Sequence, residues 1–197
     1  MNVVGQSVER LDAIKKVTGT AQFADDIQFS RPLYAQVARS PYAHANILSI
    51  DLTAAKALPG VRSVITGECY RKRAGLYLED KNFLAVGKAR YRGEPVAAVA
   101  ADTPEIARRA CELIKVEYEE LPAVTDSLEG MKPDAPIIHP DLGSYKVLPI
   151  FYPQPGTNIS HHYVLRKGNA EKAFAEADRV FDHSFYIPHV QHVPIEP

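Results

Sequence analysis

Tryptophan is missing from these 197 residues, cysteine and methionine appear twice each, and charge is almost balanced, with 23 Lys and Arg against 24 Asp and Glu. Each shortage excludes something. Cys69 and Cys111 lie far apart, with no C-x-x-C spacing and no histidine at zinc-finger distance. Neither a zinc knuckle nor the cysteine set of an iron–sulfur cluster is available, and both are expected as free thiols. A formal net charge of −1 with interspersed signs lacks the basic footprint of a nucleic-acid binder or a polybasic membrane anchor. No stretch approaches the roughly 18 apolar residues that span a bilayer. The opening MNVVGQSVERLDAIKKV carries charges where a signal peptide needs an apolar run. The default expectation is a cytoplasmic protein. No G-x-S-x-G, H-E-x-x-H or Walker pattern occurs, so spacing and chemistry alone name no enzyme class.

What is present is enough apolar sequence, 46%, for a genuine core. LYAQVARS (33–40) and ANILSIDL (45–52) read as strands, and TAAKAL (53–58) as a short helix stopped by Pro59-Gly60. VRSVIT (61–66) is the strand that follows, giving a compact strand–helix–strand crossover. Residues 67–90 are a charged excursion with a short strand near Phe83–Ala85. PVAAVAA (95–101) is almost continuously apolar, as a strand covered on both faces should be. Thr103 suits an N-cap, Pro104 the first helical position and Glu105 the positive end of the helix dipole. Ile106, Ala107, Ala110, Leu113 and Ile114 recur at helical spacing, and KVEYEEL alternates as a strand. Gly93 in YRGEP precedes its strand and reads as a turn, so no nucleotide-binding loop links strand to helix.

Prolines then concentrate between Pro122 and Gly156 and periodicity is lost, as in a linker or an arm draped over a neighbour. GNAEKAFAEAD (168–178) reads as a helix capped by Asn169, and RVFDHSFYI (179–187) as a strand. The expected fold class is α+β, with two strand–helix–strand units over residues 1–125, a proline-rich linker over 126–156, and the opening helix and strand of a second domain over 157–197.

His189, His192 and Glu196 form an H-x2-H-x3-E pattern in FYIPHVQHVPIEP. Converging such ligands needs a helix, and Pro188 and Pro194 argue against one. In an extended chain His192 and Glu196 share one face while His189 and Gln191 take the other. No metal site is expected from these residues alone. His161 and His162 read as solvated loop histidines, and His44 as a structural hydrogen-bond donor. Glu117 and Glu119 read as the wet face of a strand.

Several stretches in order resemble the molybdenum-binding subunit of the xanthine dehydrogenase and aldehyde oxidase family. They are RLDAIKKVTGTAQFADDI, RSPYAHANILSID, ALPGVRSVITGE, YRGEPVAAVAADTPEIARRACELIKVEYEELPAV and GNAEKAFAEADRVFDHSFYIPHVQHVPIEP. The fourth is similar to the family's a/b hammerhead module, and the fifth resembles the start of its molybdopterin-binding region. The resemblance implies part of a large subunit that inserts a water-derived oxygen into a purine, another N-heterocycle or an aldehyde. A molybdenum–pterin cofactor takes two electrons there and passes them through 2Fe–2S clusters, usually to FAD. The metal is held by the pterin dithiolene, so no cofactor is expected to bind to this chain alone.

Implied partners are the remainder of the molybdenum subunit, an iron–sulfur subunit and an FAD subunit; a homo-oligomer is compatible, and nucleic acid and membrane are not. The family's glycine-rich loop and catalytic glutamate match nothing in this chain, so no residue here takes a catalytic role. The segment QHVPIEP matches one that enters the family's pocket wall, which makes Glu196 first, then Gln191 and His192, the pocket-lining candidates. The chain is therefore expected to be a piece, inactive alone, and a stand-alone interaction or assembly module of the same ancestry is the alternative. The hammerhead should fold by itself, with limited proteolysis removing the tail after about residue 157 first.

Overall fold

The computed structural model describes residues 4–188 and 190–193. Its elements in chain order are α1 (Ala13–Val17), β1 (Tyr34–Arg39), β2 (Ala45–Asp51), α2 (Thr53–Ala57), β3 (Val61–Thr66), β4 (Arg73–Ala74), β5 (Lys81–Asn82), β6 (Lys88–Ala89), β7 (Pro95–Ala101), α3 (Pro104–Leu113), β8 (Lys115–Glu120), α4 (Ser127–Gly130) and α5 (Ala170–Glu176). Two compact units divide them: Leu33–Lys167, and the flanking segments 1–32 and 168–197.

Both strand–helix–strand units form, but neither crosses over within one sheet. One sheet has the order β1-β7-β3 and the other β6-β2-β8, with every pairing antiparallel. Each helix therefore leads from one sheet to the other. The first strand of one unit pairs with the last strand of the other, β2 with β8 and β7 with β3, so the two units clasp each other. Chain length explains the departure from a crossover in the first unit. Only residues 52–60 separate β2 from β3, short of the dozen or so that a return to a parallel neighbour requires.

The core lies where α2 and α3 cover the first sheet. Ala55, Val64, Val99, Ala101, Ala107 and Ala110 are buried together there, flanked by Leu52, Leu58, Ile106 and Leu113. Four of the six are alanines, which lets two helices approach the sheet closely. The α3 signals are realised as read: the Thr103 hydroxyl accepts from the Ile106 backbone N–H at 3.2 Å, and Pro104 opens the helix. Gly60 ends the α2 turn at φ +88°, and a Cβ there would come within 2.7 Å of the Ile106 side chain. Backbone conformation and close approach both select glycine at this position.

The YRGEP turn knits β1 to β7. Gly93 adopts φ +89° and donates its N–H to Ser40 O at 2.8 Å, while Ser40 N–H donates to Glu94 O at 2.9 Å. The Glu94 side chain is buried and accepts from the backbone N–H of Arg90. Burial raises its carboxyl above the ordinary range, more than that hydrogen bond and the Arg90 charge lower it. A carboxyl raised in the folded state binds its proton more tightly there than in the unfolded chain. Its contribution to stability therefore falls as pH rises from the ordinary carboxylate range through the raised value. Glu94→Gln keeps an acceptor and removes the charge, so its denaturant midpoint should change less than wild type between about pH 4.5 and about pH 7.5. Glu94→Ala should lose about 1–3 kcal/mol at both. A Glu94→Gln profile parallel to wild type would refute the assignment.

The proline-rich stretch, read as a linker or an arm draped over a neighbour, packs as an arm within the Leu33–Lys167 unit. Leu142 and Tyr145 are buried against Leu78, with Phe151 beside them. Leu78 bridges Val147, Glu79 N–H donates to Lys146 O at 2.9 Å and Leu148 N–H to Tyr77 O at 3.0 Å. The excursion over 67–90 provides the surface for this arm. Its short strand sits at β5, slightly before the expected place, and pairs with β4.

In the flanking unit, Asn169 caps α5 as expected, accepting from Lys172 N–H at 3.0 Å. The strand expected over 179–187 is not formed among the described residues. A strand needs a ladder partner, and none of the described residues pairs with this segment, which leaves Phe181, Phe185 and Ile187 exposed.

Candidate functional site

Two of the three pocket-lining candidates, Gln191 and His192, lie among the described residues. Gln191 and His192 are exposed, and the Gln191 side-chain amide donates to the His192 carbonyl at 3.1 Å. Glu196 and His189 lie outside the described residues. Among the described residues no group of three or more His, Cys, Asp or Glu side chains is placed to hold a metal ion.

The other histidines have structural partners. His44 is buried with Nδ1 2.7 Å from Pro122 O, an arrangement in which Nδ1 carries the proton and donates. This is the role expected of it. His161 and His162 are exposed yet not merely solvated. His161 Nδ1 accepts from Tyr152 N–H at 3.0 Å, its ring lies 4.4 Å from Phe151 at 7° between planes, and His162 Nδ1 is 2.7 Å from the Gln154 amide. Both belong to a hairpin-like turn around Gly156, in which Gln154 N–H bonds Ile159 O and His162 N–H bonds Tyr152 O. Cys69 is exposed and Cys111 half-buried, both free, and burial pushes the Cys111 thiol up, away from reactive thiolate.

The most developed concave feature lies between the 78–90 excursion and the arm. It is a cavity of about 460 Å³ with Leu78, Ile138, Leu142 and Ile159 among its apolar walls. Asp80, Arg90 and His139 line it as well. The Arg90 guanidinium donates through Nη1 to Lys88 O at 3.2 Å, and its buried Nε–H has no partner among the described residues. His139 Nδ1 is 3.0 Å from the Tyr145 hydroxyl. Burial first, then the Arg90 charge, holds His139 below the usual imidazole range, so it is neutral at pH 7. Burial and Arg90 likewise lower Lys88. Arg73 lies over the Tyr145 ring at 4.7 Å and pairs with Asp141 at 3.7 Å.

Asn158 forms part of the wall and fastens the arm. Its carbonyl accepts from Ile138 N–H at 2.9 Å, and its amide donates to Gly130 O at 3.0 Å and Pro136 O at 2.9 Å. Sequence reasoning passed over Arg90, His139 and Asn158. Arg90 and His139 fall in the two stretches without periodicity, Asn158 lies just beyond the second, and contacts such as Asn158 to Gly130 leave no local pattern to find.

The model of the aldehyde oxidase and xanthine dehydrogenase a/b hammerhead domain matches residues 18–122. The nicotinate dehydrogenase large molybdopterin subunit of Eubacterium barkeri is 34% identical over 197 residues, covering 99% of this chain and 43% of that protein. The gamma subunit of the 6-hydroxypseudooxynicotine dehydrogenase complex of Paenarthrobacter nicotinovorans is 36% identical, over 98% of this chain and 24% of its own length. Among solved structures, quinoline 2-oxidoreductase from Pseudomonas putida 86 superposes with a TM-score of 0.62 at 38% identity, over 68% of this chain and 18% of that one. The carbon-monoxide-reduced Cu,Mo-CO dehydrogenase gives a TM-score of 0.63 at 35% identity, over 67% of this chain and 17% of that one. The chain spans less than half the length of each of these proteins. The clasped pair of strand–helix–strand units lies mostly within the matched residues, and the chain belongs to the aldehyde oxidase and xanthine dehydrogenase family, whose a/b hammerhead domain it carries.

Proposed function

We propose that this chain is the N-terminal part of a molybdenum hydroxylase large subunit. In that reading the hammerhead is a scaffold, and the segment after α5 supplies Gln191, His192 and Glu196 to a pocket completed by further polypeptide. One observation carries it. Similarity to the E. barkeri large molybdopterin subunit runs over 99% of the chain, whereas the hammerhead match stops at residue 122. The relationship therefore extends through the arm and into the tail where the pocket candidates lie. Relatives named as the gamma subunit of a dehydrogenase complex and as a large chain support assembly with other subunits, for which the proposal names an iron–sulfur and an FAD subunit. The substrate class is a purine, another N-heterocycle or an aldehyde.

The described residues do not make a molybdopterin site by themselves. Gln191 and His192 are exposed and share one local hydrogen bond, which offers no cradle for a pterin. Such a wall segment can orient a substrate by hydrogen bonds once other chain covers it.

Elemental analysis after gel filtration tests the reading. The isolated chain should hold no molybdenum and hydroxylate nothing, while a complex with the rest of a family large subunit should retain the metal. Stoichiometric molybdenum in the isolated chain would overturn it. Gln191→Ala and His192→Ala should each leave the isolated chain within about 0.5 kcal/mol of wild type, because exposed side chains without packing contribute little to folding. In the assembled enzyme each should lower kcat/KM by about tenfold or more, the cost of a lost orienting hydrogen bond. Unchanged kinetics in both would remove them from the pocket wall.

A further inference from the structure

We propose that the cavity between the 78–90 excursion and the arm binds a small organic monocarboxylate, with Arg90 holding the carboxylate and the apolar walls holding the body of the ligand.

The volume of about 460 Å³ lies within the roughly 300–1,000 Å³ range of small-molecule sites. Its lining joins an apolar surface to polar groups, Arg90, His139, Asn158 and Ser160 among them, a mix that suits a ligand with one polar end. Arg90 is only partly exposed, and among the described residues no carboxylate comes within 4.0 Å of its guanidinium to make an ion pair. The nearby buried Glu94 carboxylate feels the Arg90 charge but bonds the Arg90 backbone N–H, which leaves the guanidinium without a direct ion pair and its planar fork matched to a carboxylate. Its Nε–H has no partner among the described residues, and its charge adds to burial in lowering His139 and Lys88. Of the nearby acids, Asp141 is taken by Arg73, and Asp80 makes no ion pair among the described residues.

The walls also select among anions. Leu78, Val124, Ile138, Leu142 and Ile159 cannot solvate a second charge, and Asp80 repels one. Phosphate or a dicarboxylate would meet one free guanidinium and the Asp80 carboxylate together. A single carboxylate on an apolar body satisfies Arg90 and covers the walls.

Benzoate is the probe, titrated into the 197-residue chain at low salt by calorimetry and by NMR of the histidine ring signals. Saturable binding of one benzoate per chain is expected, with neutral benzamide, inorganic phosphate and succinate each weaker by about tenfold or more. Bound benzoate should raise the midpoint of His139 titration, because an anion beside Arg90 relieves the repulsion that lowers it. Arg90→Met should weaken benzoate by about tenfold or more. Should Arg90→Met fail to fold, Asp80→Asn decides independently, since the Asp80 carboxylate makes no ion pair to lose. It should tighten benzoate by roughly two- to tenfold as the repulsion disappears. No saturable benzoate binding, benzamide or phosphate binding as tightly, or weaker binding in Asp80→Asn would each overturn the proposal.

Discussion

Replacing Asn158 with aspartate should destabilise the Leu33–Lys167 unit by about 3–5 kcal/mol, the largest effect expected of any side chain in the arm. The side chain stands at the junction of three backbone groups from two turns, accepting from Ile138 N–H and donating to the Gly130 and Pro136 carbonyls. Gly130 is itself buried at the end of α4. Aspartate keeps the acceptor for Ile138, loses both donors, and sets a carboxylate against two carbonyl oxygens. Each buried polar group left without a partner costs about 1–3 kcal/mol, and the added charge brings a further penalty. Asn158→Ala leaves all three groups unpaired but adds no charge, so it should fall short of the aspartate variant, at about 2–4 kcal/mol. Denaturant unfolding measures both, and limited proteolysis should cut first between residues 131 and 157. An aspartate variant with the wild-type midpoint would show that the arm is held by the Leu78, Leu142 and Tyr145 cluster without Asn158.

That attachment also marks where sequence reading stops. Pro122 to Gly156 has the composition of a linker, and composition was the only local signal available. Proline removes donors from the ladder but does not prevent packing, and here carbonyls that secondary structure leaves free find Asn158. The α3 helix was legible to its cap because Thr103, Pro104 and the apolar spacing are local features. The division into two sheets was not. It depends on antiparallel registers such as Val64 with Val99 and Ile47 with Tyr118, set by partners far apart in sequence. The strand expected over 179–187 failed for the opposite reason: its alternation is real, but alternation does not supply a neighbour.

The site divides in the same way. Gln191, His192 and Glu196 came into view through resemblance to a family, since their spacing alone suggested only a poor metal site. The cavity around Arg90 and His139 was invisible from spacing, because residues about 50 positions apart meet across two irregular segments. Turns and arms carry binding groups on a rigid scaffold because their backbone need not follow a ladder. That freedom is also what hides them from pattern reading.

The rigidity of that scaffold can be tested at Gly67, where β3 passes under the excursion. Gly67 is buried, and its φ is not in the left-handed region, so conformational freedom does not explain the residue. Space does. A Cβ there would lie 2.5 Å from Ala85 O, 2.6 Å from Leu84 O and 2.7 Å from the Val86 side chain. Two of those neighbours are backbone, and Ala85 is tied to β7 by its N–H to Pro95 O at 2.7 Å. Neither carbonyl can move without shifting the start of the central strand, so Gly67→Ala should cost about 3 kcal/mol, the upper end of ordinary overpacking. Gly143→Ala is the control. Its Cβ would meet only Pro155 ring atoms at 3.2 Å, a side chain on an exposed part of the arm, and should cost under about 1 kcal/mol. Equal denaturant midpoints for the two variants would mean that the excursion gives way at Ala85, and that the cavity wall it carries from Leu78 to Arg90 is softer than the packing at Gly67 implies. A loss confined to Gly67→Ala would place that wall on the same rigid body as the core under α2 and α3.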